Sequence, residues 1–205
     1  MNKADFFQLD GVFVQDDKYI LRAITEADKD NYLKLYRENS IVAKASSKMN
    51  DVDYESFTDF VWEKMSEDDA IYVFVFRKKD EIYVGNITLQ HLSSDTPEIG
   101  MDVLQEYHRQ GIALDSIPLF TKRVMEIMSV EYFLVRIYSD NEPSRKLYEK
   151  LGATVIGEEP SEFAVALAQM KEKHREDYEG FLSRNPEAEM IANEKCIVQY
   201  KYLPK

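Results

Sequence analysis

The sequence is short of cysteine, glycine and basic residues, and each shortage excludes a class of function. One cysteine, Cys196, in 205 residues cannot form an internal disulfide, and with three scattered histidines, His91, His108 and His174, it offers no zinc-ligand spacing. No metal centre is expected. No apolar run approaches the roughly 20 residues needed to cross a bilayer. The first residues, MNKADFF, lack a basic start followed by an apolar stretch, so neither a membrane span nor a signal peptide is expected, and the cytoplasm is the expected compartment. Lys and Arg number 26 against 38 Asp and Glu, a formal charge of −12. Such a surplus repels phosphate backbones and anionic lipids, so nucleic acid and membrane are not expected partners and a cationic partner is. The sequence also lacks the Gly-x-Gly-x-x-Gly and Walker-lysine patterns of unrelated nucleotide-binding α/β domains.

What is present is ordinary globular material, 44% hydrophobic, with no linker-like Gly/Ser or Pro tract and no repeat. A single domain over residues 1–205 is expected, with residues 1–17 as an N-terminal hairpin extension and 158–194 as a helical insertion. Asp10-Gly11 between apolar runs suggests a short hairpin before a strand at 18–24. Thr25 begins a helix, with Asp28 as capping partner and Tyr32, Leu35 and Tyr36 on its inner face. A second helix is expected over 53–66 from Tyr54, Phe57, Val61 and Met65. Residues 71–76 and 81–90 read as a hairpin, and a strand at 98–104 feeds a helix whose inner positions are Ala113, Ile117, Phe120, Val124 and Ile127; Pro118 should kink it. A strand at 132–138, a helix with Pro143 near its start and Gly152 past its end, a short strand near 153–157, one long helix over 161–184 and a final strand at 195–203 complete the chain. The last two strands should pair.

The most informative segment is Glu106-Tyr107-His108-Arg109-Gln110-Gly111-Ile112-Ala113, between a strand and a helix, in a chain with only 7 glycines. A strand that turns into a helix exposes unpaired N–H groups at the positive end of the helix dipole, which suits an anion such as phosphate. Gly111 allows close approach to the backbone, and Arg109 adds a charge-assisted donor.

The stretches EIGMDVLQEY, HRQGIA and SDNEPSRKLYEKLGA together resemble the GNAT superfamily of N-acetyltransferases, in the branch of ribosomal-protein N-terminal and spermidine acetyltransferases. His108-Arg109-Gln110-Gly111-Ile112-Ala113 is similar to that family's Gln/Arg-x-x-Gly-x-Gly/Ala loop, departing at His108. Asn141, Ser144, Leu147, Tyr148 and Gly152 fill its second signature. The resemblance implies an α/β (α+β) fold with a central mixed, mostly antiparallel sheet flanked by helices, and acetyl-CoA as co-substrate. Met101, Asp102 and Val103 would lie along the pantetheine arm, with Val103 bonding it through main-chain groups. His108, Arg109, Gln110, Gly111, Ile112, Ala113 and Leu114 would hold the pyrophosphate, Asn141 and Ser144 would contact the cofactor near the next helix, and Tyr148 would protonate the departing thiolate.

No general base carries over, because the family's glutamate position is Arg136. Glu98 is the first candidate and Asp102 the second, on one face of a strand; a chain of waters is the other possibility. Residues 51–70 carry eight acids and one base, and 158–194 carry ten acids and four bases. That acidity either surrounds a cationic amine acceptor or serves solubility. The Phe163/Leu167/Met170 stripe faces the acceptor site, a second subunit of a homodimer, or its own domain. Two function classes follow: an acetyl-CoA-dependent N-acetyltransferase acting on a primary amine by direct attack, or a catalytically silent CoA-binding sensor or interaction module.

Overall fold

The computed structural model describes residues 6–7, 11–39, 59–60, 62–63 and 69–205. The chain divides into two compact units, Met1–Phe133 with Pro204–Lys205, and Leu134–Leu203. It has the mixed α/β organisation expected, strands flanked by helices.

In the first unit, β1 (Val12–Gln15), β2 (Tyr19–Ala23), β3 (Ala70–Arg77), β4 (Ile82–Gln90) and β5 (Glu98–Val103) are neighbours in that order, antiparallel throughout. Central β3 and β4 are rich in Val, Ile, Phe and Tyr and buried along most of their length, as strands covered on both faces should be. The expected 71–76/81–90 hairpin is present, its turn including Glu81 at φ +55°. Gly85 is required here: a Cβ would lie 2.2 Å from the Asp102 carbonyl oxygen on β5.

The amino-terminal expectation falls largely outside the described residues. Residues 8–10 of the hairpin expected across Asp10-Gly11 lie outside the described residues. The hairpin that forms joins β1 to β2, because Asp16 Oδ1 accepts the N–H groups of Lys18 (2.8 Å) and Tyr19 (2.7 Å) and closes the turn. Gly11, at φ +78°, enters the same pairing through its carbonyl, which accepts from the Ala23 N–H.

Helix α1 (Lys29–Asn39) follows a 3₁₀ turn, Glu26–Asp28, opened by Thr25. Asp28 accepts from the Thr25 N–H at 2.8 Å and hydroxyl at 2.7 Å, and pairs with both Arg22 nitrogens. Burial works against the Asp28 charge, but the Arg22 and Thr25 hydrogen bonds outweigh it and hold the carboxyl below its ordinary range. Tyr32, Leu33 and Leu35 of α1 pack on Phe74, Tyr83 and Leu104, which defines one face of the strands. On the other face, Phe13 meets Phe120 of α2 (Ile112–Ile127) at 5.0 Å between ring centres. Helix α2 runs through Pro118. Of the expected 53–66 helix, Tyr54, Phe57, Val61 and Met65 lie outside the described residues. No helix among the described residues is long and apolar enough to cross a membrane.

The second unit contains β6 (Phe133–Tyr138, from Leu134), α3 (Glu142–Leu151), β7 (Thr154–Pro160), α4 (Glu162–Lys173), α5 (Arg175–Arg184), α6 (Ala188–Glu194) and β8 (Cys196–Tyr202). Strand β8 lies between β6 and β7 and pairs antiparallel with β7, as expected. The single helix expected over 161–184 is instead α4 and α5, broken at His174, with α6 added. The reason is burial. Leu167 and Tyr178 are eleven positions apart, about 16 Å along one helix; breaking it at His174 lets both join Ala188 and Ala192 in a small apolar cluster.

Candidate active site

Between β5 and α2 the chain makes a 3₁₀ turn, Gln105–Tyr107, and then two left-handed residues, Arg109 at φ +60° and Gly111 at φ +82°. Alternating left-handed backbone turns successive N–H groups toward one side. Gly111 is the residue before α2, contributes no capping side chain, and has open space where a Cβ would stand. The first helical bond closes from the Asp115 N–H to the Gly111 carbonyl at 3.1 Å, so the N–H groups of Ile112, Ala113 and Leu114 precede it. Arg109 and Gln110 are exposed beside them, whereas Ile112 is buried and offers only its N–H. This donor set fits a diphosphate: an open helix start, a left-handed glycine and one arginine. Asp115, the acid of that first turn, is paired with Lys18 at 2.7 Å.

The loop is held from several directions. Gln105 donates its N–H to Glu38 of α1 at 2.9 Å, and Lys34 pairs with Glu106 at 2.6 Å. Arg77 covers the Tyr107 ring at 5.3 Å, is anchored by Asp80, and reaches Gln110 at 3.5 Å. His108 Nε2 lies 2.9 Å from the Val103 carbonyl, and since a carbonyl only accepts, that ring nitrogen carries the proton. The family departure at His108 is thus a brace that ties the loop back to β5.

On β5 the register Asn86↔Asp102, Ile87↔Met101 and Gly85↔Val103 sets the faces. Asp102 and Glu98 share the α1 face, opposite to Met101 and Val103, as the alternation predicts. Glu98 is 17% exposed on its side chain, with His91 Nε2 at 4.0 Å. Asp102 accepts from Asn39 Nδ2 at 3.2 Å, and burial raises its carboxyl above the ordinary range.

In the second unit, Asn141 opens α3, and its side-chain oxygen accepts from the Ser144 N–H at 3.2 Å. Gly152 closes the helix at φ +92°, donating to the carbonyls of Tyr148 and Glu149. Tyr148 is buried, with its ring edge-on to Tyr202 at 6.1 Å. Arg145 donates to the Ser139 carbonyl and the Tyr200 hydroxyl, both at 3.0 Å.

The profile of the acetyltransferase (GNAT) domain matches residues 18–154, well over half the chain. The chain belongs to the GNAT family of acetyltransferases. No curated protein matches it in sequence. Solved structures share the fold at low identity. A spermidine N-acetyltransferase chimera from Vibrio cholerae is 13% identical over 90% of this chain and 94% of its own, with a TM-score of 0.61. A GNAT-family acetyltransferase from Bacillus anthracis is 21% identical over 71% and 86%, with a TM-score of 0.56. A microcin self-immunity acetyltransferase, solved with acetyl-CoA and AMP, is 17% identical over 76% and 88%, with a TM-score of 0.58.

Within this GNAT chain the structure brings His108 to Leu114 into one loop and joins Asn141 to Ser144 at one helix start. It separates the side chain of Asp102 from those of Met101 and Val103. Sequence reasoning missed the loop's supports, Lys34, Glu38 and Arg77, because nothing in their spacing marks partners 72, 67 and 33 positions away. The acidity of 158–194 is partly neutralised locally: Arg136 pairs with Glu159 and Glu162, Lys171 with Glu189, and Arg175 with Glu179. Tyr138 donates to Glu162 at 2.6 Å, and that bond, helped by burial, pushes its phenol up to about 12.

Proposed function

We propose that this protein transfers an acetyl group from acetyl-CoA to a primary amine, in a protein N-terminus, a polyamine or another cationic small molecule. The observation that carries the proposal is the open, Gly111-led start of α2 in a chain of the GNAT family. Acetyl-CoA, when bound, supplies the thioester carbonyl that an amine attacks. Arg109 and the N–H groups of Ile112, Ala113 and Leu114 hold its diphosphate, and Met101 and Val103 of β5 accompany its arm. Asn141 and Ser144 contact it at the start of α3. Tyr148 gives its phenol proton to the departing sulfur. A carboxylate on β5, Glu98 or Asp102, takes the proton leaving the amine. The acceptor's positive charge is matched by the protein's surplus of acid.

The test has two steps. Calorimetry should show saturable acetyl-CoA binding by the wild type; no binding would end the proposal. Free-thiol release from acetyl-CoA across a panel of primary amines then measures transfer, and no release with any amine would end the assignment as a transferase. Tyr148→Phe should lower turnover about a hundredfold while leaving acetyl-CoA affinity unchanged. Full activity in that variant would remove Tyr148 from the mechanism. Comparing Glu98→Gln with Asp102→Asn decides the proton acceptor: the variant whose rate no longer rises with pH has lost it.

A further inference from the structure

On the α1 face of β4 and β5 lie three polar side chains of the first unit that, among the described residues, have few hydrogen-bond partners. Asn86 is 3% exposed, and its side-chain oxygen is buried with no hydrogen-bond donor among the described residues. Directly across the register is Asp102, whose side chain has, among the described residues, only the 3.2 Å hydrogen bond from Asn39. Among the described residues no cation pairs with Asp102. Its carboxylate touches solvent, yet burial is what raises its pKa.

Tyr83 lies on the same face, its ring against Phe74 at 4.9 Å and its hydroxyl buried without a partner among the described residues. Its phenol is raised by burial first and then by the Asp102 charge.

A buried oxygen without a donor is destabilising, and the Asp102 carboxylate across from it has, among the described residues, only the Asn39 donor. Two acceptors and one hydroxyl, supplied with a single donor from Asn39, are complementary to a group rich in N–H and positively charged.

We propose that Asp102, Asn86 and Tyr83 form the recognition site for the ammonium or amine end of the acceptor. Asp102 supplies charge, Asn86 a directed acceptor, and Tyr83 a hydroxyl that takes either role. The site selects primary amines over alcohols of equal size, because an alcohol brings one donor and no charge. The assignment rests on the acetyl-transfer reading for its purpose, but amine binding is measurable without acetyl-CoA.

The experiment titrates the full-length protein with n-butylamine, and separately with n-butanol, following backbone amide shifts of β4 and β5 by NMR. Saturable shifts at Asn86 and Asp102 are expected with the amine and not with the alcohol. Asp102→Asn, which keeps size and removes charge, should weaken amine binding about tenfold or more. Asn86→Leu should weaken it by a smaller factor without lowering the melting temperature. Equal shifts with amine and alcohol, no saturable shift in the wild type, or unchanged binding in both variants would each overturn the site. Acetyl-CoA affinity, measured by calorimetry on the same samples, should be the same in all three proteins. If the wild type bound the amine but not acetyl-CoA, the transferase reading would fail and the amine site would stand.

Discussion

The helix starts at Gly111 and at Asn141 solve the same problem in opposite ways. Each helix leaves its first N–H groups without internal partners. At α3 the protein answers locally: the Asn141 oxygen takes the Ser144 N–H, and Pro143 needs no partner there. Thr25 with Asp28, and Ser161 ahead of α4, provide similar local closures, the Ser161 hydroxyl accepting from Ala164 at 3.1 Å. At α2 the corresponding position is a glycine with no side chain, preceded by left-handed Arg109. Among the described residues α2, α5 and α6 all begin without a capping side chain, and of these α2 alone opens on a left-handed glycine that follows another left-handed residue. On the function proposed above, that start serves an external anion.

Substitutions can sharpen or break that contrast. The largest stability effect belongs to a closed start. Asp28→Ala should cost about 3 kcal/mol by stranding the Arg22 guanidinium, read as a lowered denaturant midpoint. The Asp28 pKa is held below its unfolded value, so its contribution is present above about pH 4 and lost as pH falls through the folded value. The acid limb of the stability curve should therefore flatten in Asp28→Asn.

At the open start, Gly111→Ala should cost about 1–2 kcal/mol, because a Cβ at φ +82° is strained. Acetyl-CoA affinity should fall with it. Gly111→Asn separates the two effects, since asparagine tolerates positive φ but fills space that is open in the native chain. Its melting temperature should stay near that of the wild type while acetyl-CoA affinity drops about tenfold. Retained affinity in Gly111→Asn would break the contrast between open and closed starts.

Asn141→Ala should cost about 1 kcal/mol, a fall of roughly 2–4 °C in melting temperature for a chain of this size. The smallest effect on stability is expected for exposed Arg109. Arg109→Ala should leave the melting temperature unchanged, weaken acetyl-CoA binding, and reduce the salt dependence of that binding.

Much of this molecule is legible along the chain because the deciding interactions are local. The β3–β4 hairpin, the cap at Thr25 and Asp28, the Pro143 to Gly152 helix and the Gly111 loop all depend on residues within a few positions of one another. The break at His174 was not legible, since a helical period continues through it; the gain comes from Ala188 and Ala192, which a periodicity over 161–184 does not include. The β1–β2 turn was not singled out along the chain either, although the Asp16 side chain that closes it is local.

The sequence by itself determined the family and the left-handed turn at Gly111, because backbone conformation and motif spacing are encoded over short stretches. Only the tertiary structure decided what surrounds Asp102. Asn39 reaches that carboxylate through helix packing and strand register sets Asn86 across from it, and burial acquires its electrostatic consequence only when distant segments exclude water together.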